Sequence, residues 1–81
     1  MNILVKTFAS VYDICGFADK EMEVPSGHTV NDVVQMLIEK HSGLHDVIDD
    51  LLFAVNGEYC NGTRMLAHND VLAIFPPVSG G

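Results

Sequence analysis

At 81 residues, with 48% hydrophobic and 19% charged side chains, the chain is one domain near the size at which a single core suffices without disulfide or metal staples. Four basic against eleven acidic residues give a net charge of −7, which sets the chain against nucleic-acid backbones and anionic membranes and toward cationic protein surfaces. No apolar run approaches the roughly 20 residues of a membrane span. Lys6 interrupts the N-terminal apolar stretch where a signal peptide needs continuity, so a cytoplasmic location is expected.

Residues 2–9 are β-branched and apolar at successive positions with no Gly or Pro, which predicts a central strand covered on both faces for much of its length. A short connection through Cys15-Gly16 leads to a second strand, Lys20-Glu21-Met22-Glu23-Val24. Its period-two alternation turns Met22 and Val24 to the core, and the two strands are expected to form a hairpin. Pro25-Ser26-Gly27 ends it. A helix starts at Thr29, whose hydroxyl can cap the first N–H groups, with Asp32 three residues on as a weak version of the capping box. Val30, Val33, Val34, Leu37 and Ile38 form one apolar stripe for a sheet, while Gln35, Glu39 and Lys40 face solvent and Gly43 is the expected stop. Residues 44–50 read as a short helical turn. Leu51 to Val55 is a buried strand, and Asn56-Gly57 is a two-residue hairpin turn, because both central positions need positive φ. Glu58-Tyr59-Cys60 returns as a short strand. After a turn-rich passage, Val71 to Phe75 is a last strand apolar on both faces.

Cys15 and Cys60 are too few and too far apart for a disulfide framework or a Cys-x-x-Cys site, and no basic sequence neighbour activates either, so both are expected to be reduced thiols acting as small half-buried hydrophobes. His41 and His45 stand four apart with Gly43 between them and no third ligand in view. No metal site is expected, and the histidines read as solvated surface. Asn61-Gly62-Thr63 matches a glycosylation acceptor but, without a secretory signal, reads as a turn.

The order strand, strand, helix, strand, short strand, strand, with both terminal strands central, predicts an α+β fold. The sheet order is 2-1-5-3-4, strands one and five are parallel, and one main helix crosses a face. That is the ubiquitin-like β-grasp, spanning residues 1–75. Residues 76–81 read as an extended tail ending in Gly80-Gly81. Two successive glycines cannot pack, but they make the backbone thin enough for a narrow channel. Pro76 and Pro77 lack N–H donors, stop the strand at Phe75 and hold the chain as polyproline II, so the terminal carboxylate is expected to be presented away from the body. Phe75 reads either as the end of the core or as an exposed aromatic anchor beside the tail, and Phe8 is open in the same way.

Phe75-Pro76-Pro77-Val78-Ser79-Gly80-Gly81, preceded by Asp70-Val71-Leu72-Ala73-Ile74, resembles the molybdopterin synthase small-subunit family, the sulfur carriers of molybdenum-cofactor synthesis. Leu51 to Asn56 and the first strand with Phe8-Ala9 are also similar. Residues 10–20 and 57–66 match in general character, and Tyr12 stands where family members often carry a basic residue. A C-terminal carboxylate, with a pKa of about 3.5, is ionised at neutral pH and is a poor electrophile. The chain has no Gly-x-x-x-x-Gly-Lys loop to bind ATP by a familiar route, so activation must come in trans.

The resemblance implies an E1-like adenylyltransferase that uses MgATP to convert Gly81 to an acyl-adenylate, and a persulfide donor that turns it into a thiocarboxylate. It also implies a large catalytic subunit of molybdopterin synthase in which that sulfur reaches cyclic pyranopterin monophosphate. By the same resemblance Gly81 is the reactant, Phe8, Phe75, Pro76, Pro77, Val78, Ser79 and Gly80 contact the partner, and the chain itself binds no cofactor. It would be the carrier subunit of a sulfurtransferase, supplying the reacting end but no catalytic side chain. A protein modifier joined through Gly81 to lysine amines would use the same activation. A carrier for thiamine thiazole synthesis is a third reading, although those chains tend to be shorter and lack Phe-Pro-Pro.

Overall fold

In the computed structural model, which describes residues 1–77, a five-stranded sheet is covered on one face by a helix. The strands are β1 (Asn2–Thr7), β2 (Asp19–Glu23), β3 (Leu52–Val55), β4 (Glu58–Cys60) and β5 (Val71–Phe75), in the order β2-β1-β5-β3-β4. β1 and β5 are parallel neighbours, in register from Leu4↔Val71 to Thr7↔Ile74. The other pairs are antiparallel. This is the ubiquitin-like β-grasp with the expected strand order.

The covering helix, α2 (Val30–Lys40), starts as its sequence predicts. Thr29 Oγ1 accepts from the Asp32 N–H at 3.3 Å, and Asp32 Oδ2 accepts from the Thr29 N–H at 2.8 Å. Its stripe of Val30, Val33, Val34 and Leu37 is buried against Ile3, Val5, Phe53, Val55, Leu72 and Ile74. Each fully buried aliphatic side chain contributes about 1.5–3 kcal/mol relative to exposure. That is how 81 residues hold a fold without covalent staples.

The Asn56-Gly57 turn has φ of 52° and 84°, the double-positive geometry of a type I′ hairpin. Asn56 also stitches this turn to the start of β5. Its Oδ1 accepts from the Val71 N–H at 2.9 Å and its Nδ2 donates to Asp70 Oδ1 at 2.8 Å. At the other loop Asn61 Oδ1 accepts from the Thr63 N–H at 2.9 Å, the side-chain turn expected of Asn61-Gly62-Thr63.

Three expectations are corrected. The connection between β1 and β2 is a helix, α1 (Ala9–Cys15), so the antiparallel pair is no tight hairpin and Ala9 belongs to the helix rather than the strand. α1 buries Val11 and Cys15, a four-residue spacing that a seven-residue helix without a side-chain cap hardly advertises. α2 ends at Lys40 with His41 as its cap, not at Gly43. Gly43 instead allows close approach, since a Cβ there would lie 3.3 Å from Ile14 Cγ2 of α1. The short helical turn expected at 44–50 is present, as parts of two 3₁₀ turns, Ser42–Asp46 and Ile48–Asp50, the first burying Leu44. Lastly, β1 and β5 are sealed on one face only. Ile3, Val5, Thr7, Leu72 and Ile74 are buried, while Leu4, Lys6, Val71, Ala73 and Phe75 between them are partly exposed. No helix among the described residues is long and apolar enough to cross a membrane.

Candidate functional site

Strand alternation sends every second side chain away from α2, and register decides which of these meet. Phe75 on β5 lies opposite Leu52 on β3, and Ala54 lies opposite both Ala73 and Tyr59 of β4. Beyond Thr7↔Ile74 the next positions of β1 and β5 are Phe8 and Phe75, whose rings stack with centroids 4.7 Å apart and planes 9° from parallel. The Tyr59 ring meets Phe75 at 6.1 Å and 46°. Such pairs add about 0.5–1.5 kcal/mol beyond their buried area.

The result is an apolar platform on the outer face. Phe8 is 40% exposed, Leu52 37% and Tyr59 74%, and with Ala9, Phe75, Pro76 and Pro77 they line a shallow hollow of about 350 Å³. Among the described residues Phe8, Leu52 and Tyr59 are three of the five large hydrophobic side chains left exposed, a concentration of the kind that makes this patch the candidate interaction surface. Pro76 has no N–H to continue the ladder, so β5 ends at Phe75 and the chain leaves the sheet at the platform. Of the predicted partner contacts, the structure brings Phe8, Phe75, Pro76 and Pro77 together here. Phe75 is thus not a core residue, its ring lying on the face opposite α2. Val78, Ser79, Gly80 and Gly81 lie outside the described residues.

Leu52, Tyr59 and Ala9 were not foreseen as parts of this surface. The period-two pattern combined with the strand order could have found the first two, because it sets Leu52 across from Phe75 and Tyr59 one strand further out. Nothing in the sequence announces Ala9.

The thiols sit elsewhere. Cys15 is buried in the core, and burial pushes its thiol pKa up, with Lys20 opposing by a smaller electrostatic pull. Lys20 is thus a basic neighbour in space, yet burial dominates and the thiol stays protonated and unreactive at neutral pH. Lys20 also lies over the Phe17 ring, 5.5 Å from its centroid. Cys60, half-buried on β4, pairs in register with Phe53. His41 caps α2 and tilts against Phe17, and no group of three or more His, Cys, Asp or Glu able to hold a metal occurs among the described residues. The one ion pair there, Arg64 to Glu58 at 4.0 Å, is exposed and contributes little.

Fold and platform together define a ubiquitin-like β-grasp protein with an exposed apolar platform at the root of its C-terminal segment. More narrowly, the chain belongs to the ThiS family, whose profile matches residues 5–81. The molybdopterin synthase sulfur carrier subunit of Arabidopsis thaliana is 35% identical over 81 residues, covering 100% of this chain and 84% of that protein. The small archaeal modifier protein 1 of Haloferax volcanii is 31% identical over 84 residues, covering 94% of this chain and 97% of its own. The crystal structure of SAMP1 from the same organism superposes with a TM-score of 0.86 at 29% identity over 100% of both chains.

Proposed function

We propose that the chain is the sulfur carrier subunit of a molybdopterin synthase, with Gly81 as the group that carries sulfur. The observation that supports it most is the 35% identity to a carrier subunit over this chain's whole length. The exposed platform where β5 releases Pro76 and Pro77 suits such a carrier, because a partner that grips the platform also receives the peptide leaving it.

The chemistry runs in trans. The Gly81 carboxylate attacks the α-phosphorus of ATP on an E1-like enzyme, releasing pyrophosphate and forming the acyl-adenylate. A persulfide sulfur attacks the acyl carbon and expels AMP, leaving an acyl disulfide. A second thiol then attacks the donor's sulfur, so that the donor leaves as a disulfide and Gly81 keeps a thiocarboxylate. The partner for delivery is the large catalytic subunit, which receives the platform and the segment from Pro76 to Gly80 and passes the sulfur to cyclic pyranopterin monophosphate. Phe8, Phe75, Pro76, Pro77, Val78, Ser79 and Gly80 are the contacts in this reading, and MgATP is held by the activating enzyme alone. The cytoplasm, where Cys15 and Cys60 remain reduced, is the proposed location.

Intact-mass analysis after incubation with an E1-like enzyme, MgATP and a persulfide donor tests this. One oxygen replaced by sulfur at Gly81, also in a Cys15→Ala, Cys60→Ala double variant, is the expected result. Sulfur mapped to either cysteine overturns the proposal, and isopeptide links from Gly81 to lysines without any thiocarboxylate would assign the chain to protein modification instead.

A further inference from the structure

Three described non-glycine residues have positive φ. Asn56 and Asn69 are asparagines, a residue type that enters this region readily, whereas Ala9 at 51° is not. Its place in the chain gives the unusual backbone a purpose. Phe8, just before it, is extended at φ −135° and ψ 149°, and its ring lies on the outer face against Phe75. Val11, two residues after Ala9, is completely buried in the inner core. The chain therefore passes from the outer face at Phe8 to the inner core at Val11 across only Ala9 and Ser10, and Ala9 supplies the positive φ in that reversal.

The cap of α1 fits the same account. No side chain caps its start, and the Phe8 carbonyl accepts from the N–H groups of Val11 at 3.1 Å and Tyr12 at 3.4 Å. The helix thus hangs directly from the residue whose ring stacks on β5. On the β1 side, backbone pairing stops at Thr7↔Ile74, and beyond it the Phe8 ring takes over from the ladder in holding Phe75. Phe75 is the last strand residue before Pro76.

We infer that Ala9 is a positioning residue: its left-handed backbone holds the Phe8 ring flat on Phe75, and this stack sets the direction in which Pro76 and Pro77 leave the sheet. The consequence for sulfur delivery rests on the carrier reading, whereas the geometric half stands on the free chain alone. Alanine fits because a β-branched side chain is strongly disfavoured at this φ, while Gly and Asn accept it.

The test compares Ala9→Val with Ala9→Asn, similar in volume and opposite in tolerance of positive φ, alongside Ala9→Gly. In the free chain, NMR reads nuclear Overhauser contacts between the Phe8 and Phe75 rings and Cα–Hα dipolar couplings of Pro76 and Pro77. Ala9→Asn and Ala9→Gly should keep the ring contacts and couplings, and Ala9→Val should lose both. With thiocarboxylated protein and the large subunit, Ala9→Val should transfer sulfur with a kcat about tenfold or more below that of Ala9→Asn, at a KM within about threefold, as expected for misaim rather than lost contact.

Should Ala9→Val not fold, Phe8→Leu keeps the backbone and removes the flat ring. It should shift the Pro76 and Pro77 couplings and lower kcat in the same way. Intact ring contacts in Ala9→Val, or unshifted couplings in Phe8→Leu, overturn the inference. A lost stack with undiminished kcat, or a rise in KM alone, also overturns it. A parent chain that accepts no sulfur defeats the carrier reading and with it the delivery half, while the ring contacts still decide the geometric half.

Discussion

The inner face of the sheet carries Ile3, Val5, Leu72, Ile74, Phe53 and Val55, all buried beneath α2 and its neighbours. The outer face carries Phe8, Leu52, Tyr59 and Phe75, from the same or adjoining strands and equally apolar, with no helix of the described residues laid over them. The two sets are chemically alike. What separates them is that one face has its cover within the chain while the other has none among the described residues and, in the carrier reading, receives it from the partner subunit. An apolar strand position is thus a statement about burial somewhere, either in the fold or in a complex.

Changes at the far end should break this contrast most severely. Deleting Gly81 withdraws the carboxylate proposed to react by about 3.5 Å, and a misplacement of even 1 Å can cost on the order of a hundredfold in rate. Sulfur transfer should therefore collapse. The melting temperature should stay at the parent value, because the described core ends at Ile74. Gly80→Val should behave likewise by widening the chain. Single-turnover transfer measured beside thermal melts checks both, and near-normal transfer by either variant would remove Gly80-Gly81 from the mechanism.

On the inner face, Leu37→Ala opens a cavity under α2 and should destabilise by about 2–5 kcal/mol. Its folded fraction at low temperature should accept sulfur and bind the large subunit as the parent does. Urea titration and calorimetric binding at one temperature separate the two effects. On the outer face the pattern should invert. Tyr59→Ala removes a mostly exposed ring, so stability should change by less than about 1 kcal/mol while affinity for the large subunit falls about tenfold or more. Equal affinity would restrict the interface to Phe8, Phe75 and the tail.

The smallest expected effect concerns the start of α2. Hydrogen bonds from Thr29, backbone first, hold the Asp32 carboxyl below its ordinary pKa. A carboxylate whose pKa is depressed by folding contributes stability above its unfolded value, near 4, and loses that contribution as pH falls through the folded one. Asp32→Asn should therefore flatten the acid limb of the stability profile below about pH 4 and leave partner binding at neutral pH alone. A slope equal to the parent's below about pH 4 would show that the capping box contributes nothing to it.

Much of the fold was legible because its signals are local. The Thr29/Asp32 cap, the valine and leucine stripe of α2, the double positive φ of Asn56-Gly57 and the Pro-Pro stop after Phe75 each express a conformational preference of a few neighbouring residues. α1 was not legible, since seven residues without a side-chain cap form a helix only where tertiary packing supports them, here Val11 and Cys15 in the core and Ile14 beside Gly43. Gly43 misled for the same reason, being required by contact with another element rather than by the end of its own.

The sequence by itself determined the strand order, the main helix, the unpaired state of the two thiols and the peptide segment that the family resemblance singles out, because periodicity, turn chemistry and burial tendency are properties of short stretches. Only the tertiary structure decided that Phe8, beyond the end of β1, joins Leu52, Tyr59 and Phe75 in one surface, and that Ala9 beside it is left-handed. Alternation says that residues two apart share a face. Whether Phe8 then closes over Phe75, and how the chain turns at Ala9 to reach the core, depends on packing between distant elements that no local preference encodes.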